Sequence, residues 1–268
     1  MVESNRHLDA CSRSDTSVMT EGGLLVINKP AGPSSMKIVA NVRARAGGIR
    51  TGHAGTLDPL ATGVLVLALG RATRSLDSIM ATDKKYRTVI DLSAFTTTDD
   101  AEYEFAHAEP LRSARTPNPP ARTDVSVAAP PTPEQIELAL NAFTGEILQT
   151  PPPYSAIKIH GKRAYARARQ GESLSMPPRK VAVHSITLIE YAYPLLTLDI
   201  HCEKGFYVRA FARAIGEHLN TGGFCRAIHR TAVGPFTIDM SKSLDQVPAR
   251  ISQVDLISMA EVRNFLKS

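Results

Sequence analysis

Residues 52–63 read GHAGTLDPLATG and run without a break into the apolar stretch VLVLAL at 64–69. The apolar stretch reads as a strand, and the segment before it is turn-prone, with glycine on both sides of a single carboxylate, Asp58. Glycine permits close backbone approach and positive φ, while Pro59 fixes φ and removes a donor. A strand leaving such a turn makes a rigid base for a side chain with chemistry to do. A lone Asp-Pro is ordinarily an acidic residue in a surface turn. The rest of the chain must therefore supply partners if Asp58 is to be more than that.

Along the chain, residues 1–21 are polar, mixed in charge and without apolar periodicity, the pattern of a disordered leader. A short strand is expected at 24–27, then a helix capped by Ser34 or Ser35, carrying Ile38, Val39 and Val42 and closed by Gly47-Gly48. After the 64–69 strand come a short helix with Leu76, Ile79 and Met80 and a strand at 86–92. The latter places Tyr86, Thr88, Ile90 and Leu92 on one face. Residues 106–131 are rich in Pro, Ala and Arg and read as a surface insertion. Thr132-Pro133-Glu134-Gln135 predicts a capping box, with Ile136, Leu140 and Phe143 on the buried face of the helix and Gly145 as its stop. A short helix around 164–169, strands near 181–189 and 195–202, a helix from Arg209 to about Leu219, a last strand at 233–238 and a terminal helix at 258–266 follow. Strands and helices that do not alternate strictly point to an α+β fold.

The net charge of +5 and pI near 9.2 are compatible with a polyanionic partner. Cys11, Cys202 and Cys225 form neither a C-x-x-C pair nor a paired framework, which fits a reducing, cytoplasmic setting. No apolar stretch reaches the roughly 20 residues that a membrane span needs. His201 and Cys202, with Cys225 and His229, offer metal-ligating atoms, but strand neighbours point to opposite faces, so no metal site is expected there. Gly47 and Gly52 begin like a phosphate loop, yet His53-Ala54 stands where Lys-Ser/Thr is required. Glycoside hydrolysis uses two carboxylates, and the motif holds Asp58 alone. A nucleophilic Asp acting on a nucleoside needs one carboxylate and a cation to keep it ionised. Two basic groups flank aromatic residues. Lys158, Lys162, Arg163, Arg167, Arg169, Arg179 and Lys180 lie near Tyr154 and Tyr165. Lys204, Arg209, Arg213, Arg226 and Arg230 lie near Phe206 and Tyr207, and together the groups favour RNA binding.

Taken together, these motifs resemble one family, the bacterial tRNA pseudouridine-55 synthases of the TruB type, from about Gly22 to Phe236. The strongest parts are the 52–63 stretch, Lys84-Lys85-Tyr86-Arg87 and Lys204-Gly205-Phe206-Tyr207-Val208-Arg209. Asn28-Lys29-Pro30-Ala31-Gly32 and Pro153-Tyr154-Ser155-Ala156-Ile157-Lys158 add support in the same order.

The resemblance implies a pseudouridine synthase fold: a mixed, mostly antiparallel bent sheet with flanking helices and a central RNA-binding cleft. It implies an isomerase that converts a tRNA T-loop uridine to pseudouridine, working as a monomer on the T arm without cofactor or metal. Asp58 matches the nucleophile, and Tyr86 the residue that stacks on the target base and takes the C5 proton. Arg209 matches the cation that orients the aspartate. His53 matches a position associated with extruding the nucleotide, Tyr207 and Ile228 match base-pocket positions, and Lys29 matches a basic residue near the site. On this reading residues 22–268 form the catalytic domain. Residues 244–268 are a short extension without the PUA-type RNA-binding domain of many relatives. Thr96-Thr97-Thr98, Tyr103, the long 106–131 stretch and His229 depart from the family pattern. The same chemistry on rRNA or mRNA, or a non-catalytic RNA-binding or tRNA-folding protein, are the competing readings.

Overall fold

The computed structural model describes residues 21–102, 121–152, 158–159, 162–163 and 176–265. Residues 1–20 of the expected leader, 106–120 of the insertion, the helix expected near 164–169, and Tyr154 and Tyr165 lie outside the described residues.

The segment after Asp58 is the hub of the sheet. Strand β3 (Thr62–Gly70) pairs antiparallel with β1 (Gly22–Lys29) along its whole length and with β2 (Thr51–His53) near its end. At its start it runs parallel to β12 (Phe224–Val233), Thr62 opposite His229 and Gly63 opposite Arg230. The reason that 64–69 is apolar throughout, instead of alternating, is burial on both faces. Leu65, Leu67 and Leu69 enter the main core beside Ile38, Val39 and Val42 of helix α1 (Ser35–Arg45). Val64, Val66 and Ala68 enter a second core with Ile79, Phe236 and Val262.

The large sheet continues from β12 through β4 (Lys84–Asp91), β11 (Leu195–Cys202) and β10 (Arg179–Ala192) to β7 (Gly145–Gln149), all antiparallel. Two small pairs stand apart: β5 (Ala94–Thr96) with β6 (Arg122–Asp124), and β8 (Lys158–Ile159) with β9 (Lys162–Arg163). The described helices are α1, the short α2 (Leu76–Met80), α3 (Pro133–Ala142), α4 (Val208–His218) and α5 (Met259–Phe265). The architecture is the mixed α+β, mostly antiparallel one expected. No described helix is long and apolar enough to cross a membrane.

Local chemistry sets most boundaries where the sequence put them. Thr132 and Gln135 form the reciprocal capping box of α3, and Ser34 caps α1 by accepting from Lys37 N–H. Two expectations need correction, and one strand has no clear signature in the sequence. Residues 233–238 are not one strand: Val233 ends β12, Gly234 turns at φ +51, and β13 (Phe236–Thr237) folds back on it. Strand β12 itself went unread because Arg226, His229 and Arg230 break its apolar pattern. Gly145 does not stop α3, which ends at Ala142 with Phe143 as its cap; Gly145 opens β7 instead.

Candidate active site

The loop from β2 to β3 carries Asp58 and is tied down residue by residue. Ser35, freed from capping by Ser34, accepts from Leu57 N–H at 2.8 Å and donates to Leu57 C=O at 2.9 Å. Lys29 is fully buried, and its Nζ donates to the carbonyls of Pro30, Pro59 and Ala61 at 2.8, 3.1 and 2.7 Å. Gly32 N–H donates to Pro59 C=O at 2.8 Å. From the other side the buried Arg230 donates to Gly55, Thr56 and Val64 carbonyls at 3.0, 3.3 and 2.8 Å. Buried cations are tolerated when their donors find acceptors, and here four of the six acceptors, Gly55, Thr56, Pro59 and Ala61, belong to the loop. Gly63 explains the close approach of β3 to β12. Its φ is +97, and a Cβ there would lie 2.2 Å from Arg230 carbonyl oxygen.

So held, Asp58 extends its carboxylate, about a third exposed, toward Arg209 of α4; Oδ2 lies 2.9 Å from Arg209 Nε. Arg209 is almost wholly enclosed, and the rest of its guanidinium is occupied. NH1 donates to Thr98 C=O at 2.8 Å and lies 3.6 Å from Asp100 Oδ2. Burial lowers the Arg209 pKa, but Asp58, Asp100 and Asp99 more than offset it and the net shift is upward, so the side chain is a permanent cation. Asp100 accepts from Thr98 Oγ1 at 2.6 Å and from Glu102 N–H at 2.9 Å. Burial nonetheless pushes its pKa up to about 7, outweighing the downward pull of Arg209.

Asp58 and Arg209 line a cavity of about 270 Å³ together with Tyr86, Tyr207, Ile228, Lys84 and Arg230. Tyr86 lies on β4 with its ring packed against the main core, and both it and Arg230 line the cavity. Burial raises its phenol pKa, which Arg230 opposes. Tyr207, the residue capping α4, is fixed by a two-way bond with Gln149 of β7. Gln149 Nε2 donates to Tyr207 C=O at 3.0 Å, and Tyr207 N–H donates to Gln149 Oε1 at 2.7 Å. Ile228 closes the apolar side from β12, 5% exposed.

Five of the seven residues singled out in sequence, Asp58, Tyr86, Arg209, Tyr207 and Ile228, therefore share one cavity. Lys29 sits behind the loop, with its pKa lowered to about 8 by burial against the raising effect of Asp58. His53 ends β2, two residues before Gly55, and is not among the cavity-lining residues. Sequence reasoning missed Asp100, and it named Ser35, Lys84 and Arg230 without the places they take at the site. The second basic group is open only in part, at Lys204, Arg213 and Arg226. Arg209 and Arg230 are buried, Arg213 pairs with Asp99, and Arg226 lies 3.8 Å from Asp91. Lys204 remains at the cavity mouth.

Comparison with known proteins places the chain in a family. Residues 42–208 match the family described as TruB family pseudouridylate synthase (N terminal domain). A tRNA pseudouridine synthase B of Arthrobacter sp. (strain FB24) is 40% identical over 244 residues, covering 89% of this chain and 74% of that protein. The protein of the same name from Parasynechococcus marenigrum (strain WH8102) is 42% identical over 229 residues, covering 85% and 72%. Among solved structures, a chain of a Cbf5-Nop10-Gar1 complex superposes with a TM-score of 0.61 at 24% identity, covering 83% of this chain and 52% of that one. An archaeal box H/ACA Nop10-Cbf5 complex gives 0.59 at 22% identity, covering 87% and 55%. The chain thus spans about three quarters of the length of these curated relatives and about half of the solved chains.

Proposed function

The chain belongs to the TruB family of pseudouridylate synthases, and from that premise we propose that Asp58 is the nucleophile with which it isomerises the T-loop uridine of tRNA, position 55, to pseudouridine. The protein is a tRNA pseudouridine synthase, an isomerase acting on RNA. The observation that carries the assignment of the site is the Asp58–Arg209 contact at 2.9 Å, at the floor of a cavity with an aromatic wall.

In this reading the target uridine leaves its stack at a cost of a few kcal/mol, recovered through pocket contacts. Tyr86 supplies a ring on which uracil stacks, Ile228 and Tyr207 close the pocket, and His53 contacts the displaced strand at its rim. Lys29 acts from behind, as the tie that holds the Asp58 loop. Arg209 keeps Asp58 ionised and aimed, as an unpaired nucleophile requires. The N1–C1′ bond breaks, the base turns, a C5–C1′ bond forms, and the proton on C5 is lost as one is gained at N1. The exchange is redox-neutral, so its balance calls for no cofactor. The family resemblance also gives Tyr86 the C5 proton. Burial holds the phenol protonated, and Arg230 is the group that pulls it toward phenolate, the form that accepts a proton.

Residues 22–268 act in this reading as one catalytic domain, a monomer in the cytoplasm. The packing of the C-terminal segment supports its inclusion, since Leu24 and Ile257 exchange backbone bonds of 2.9 and 2.8 Å. The test of the substrate is to incubate the protein with a T-arm stem-loop and with an unstructured RNA of the same composition, then map pseudouridine by chemical probing. Modification at the T-loop uridine alone supports the reading. Modification of rRNA or mRNA segments with the T arm untouched supports the same chemistry on another RNA.

A further inference from the structure

The face of the sheet turned away from the cavity carries a second group of ionisable side chains, which the isomerisation does not use. Asp83 immediately precedes β4, His184 lies on β10 and His201 on β11. His184 Nε2 is 3.1 Å and His201 Nε2 3.4 Å from the same oxygen, Asp83 Oδ2. The imidazole centroids are 4.6 Å apart with the rings tilted by 54°. The donor atoms all lie within 4.8 Å of one another.

The strand register explains the meeting. His201 stands opposite Lys85 on one side and Ser185 on the other, so it projects to the face opposite Ile200 and Cys202, which are buried. Pairing of β10 with β11 skips between Val183 and Ser185, leaving His184 as the extra residue of a β-bulge. Bulges re-aim side chains, and this one brings the His184 ring beside that of His201. Asp83 is fixed by its backbone, whose carbonyl accepts from Gly234 N–H at 2.8 Å.

We propose that Asp83, His184 and His201 form a binding site for a divalent transition-metal ion, zinc above all, with its remaining coordination positions open to water. Two imidazoles and a carboxylate are the donors such ions take, with zinc–ligand bonds of about 2.0–2.2 Å. Three donors at that radius around a tetrahedral ion stand about 3.3 Å apart, close to the 3.1 and 3.4 Å found. The 3.4 Å spacing is longer than the roughly 2.7–3.2 Å of an N–H···O hydrogen bond, while 3.1 Å lies within that range. Lys85 shares this face and opposes a cation, so the site is of moderate affinity. Sequence weighed His201 with Cys202, Cys225 and His229; the fold turns Cys202 away and supplies His184 and Asp83 instead. A bound ion joins β10, β11 and the entry to β4, one residue before Lys84 and three before Tyr86.

The test is isothermal titration of ZnCl₂ into tag-free, chelator-treated full-length protein, with the visible absorption of Co²⁺ reporting geometry. The site gives one saturable equivalent of Zn²⁺, a tetrahedral Co²⁺ spectrum and a Zn²⁺-dependent rise in Tm. All three are lost in His184→Ala and in Asp83→Asn and kept in His229→Ala. His184 sits on an exposed bulge, and circular dichroism of that variant verifies folding. Absence of saturable Zn²⁺ binding to the parent protein overturns the proposal. So does binding that persists unchanged in both His184→Ala and His201→Ala.

Discussion

Arg209 meets Asp58 through Nε, at 2.9 Å from Oδ2. Its NH1 donates to Thr98 C=O at 2.8 Å and faces Asp100 at 3.6 Å. One buried cation is thereby anchored at one end and presents its flank to a carboxylate about a third exposed. Fixing a charge in place before substrate arrives avoids reorganisation during the reaction.

Arg209→Met leaves two carboxylates without their cation. We expect kcat to fall by at least about 100-fold and stability by about 3–5 kcal/mol, the cost of an uncompensated buried charge. Adding Asp100→Asn recovers much of the stability and none of the rate. Urea unfolding and single-turnover kinetics on the two variants separate these effects.

Asp100 gives a pH dependence of known sign. Its folded-state pKa is raised from 3.8 to about 7, so between those values the folded chain keeps a proton that the unfolded chain has released. Stability from this group is full below about pH 4 and is lost as pH rises through about 7. Unfolding free energies measured from pH 4 to 8 should fall less steeply with pH in Asp100→Asn than in the parent.

The loop ties are testable without touching the reacting groups. Ser35→Ala strands the N–H and C=O of Leu57, for a loss of about 2 kcal/mol. Displacement of Asp58 then lowers kcat about tenfold or more, with tRNA affinity unchanged in filter binding. Lys29→Met, which frees three carbonyls, should exceed Ser35→Ala on both measures.

What sequence made visible were features with a local signature: the apolar run of β3, the alternation of β11, the capping box at Thr132. Asp58, Tyr86 and Arg209, the three positions proposed to act on the uridine, were visible because each lies inside a short motif. Arg230 was hidden because its burial depends on carbonyls of Gly55, Thr56 and Val64 that approach through tertiary pairing, and charge in a strand reads as exposure. Ser35 was hidden because either of two adjacent serines could cap α1, and the one that does not cap holds Leu57. The Asp83–His184–His201 group was invisible because its members come from three separate segments and one is aimed by a bulge.

Two glycines distinguish packing from backbone preference. Gly63→Ala places a Cβ 2.2 Å from Arg230 carbonyl oxygen at φ +97, and should cost at least about 3 kcal/mol. Gly47→Ala has positive φ but nothing within 4 Å, and should cost about 1–2 kcal/mol. Thermal unfolding of the two variants gives the comparison.

The most direct test of the account is tritium release from T-arm RNA labelled at uridine C5, comparing the parent protein with Asp58→Asn. The account predicts stoichiometric release to water by the parent, with release abolished in Asp58→Asn while RNA binding persists. Undiminished release by Asp58→Asn, or none by the intact protein, would contradict it.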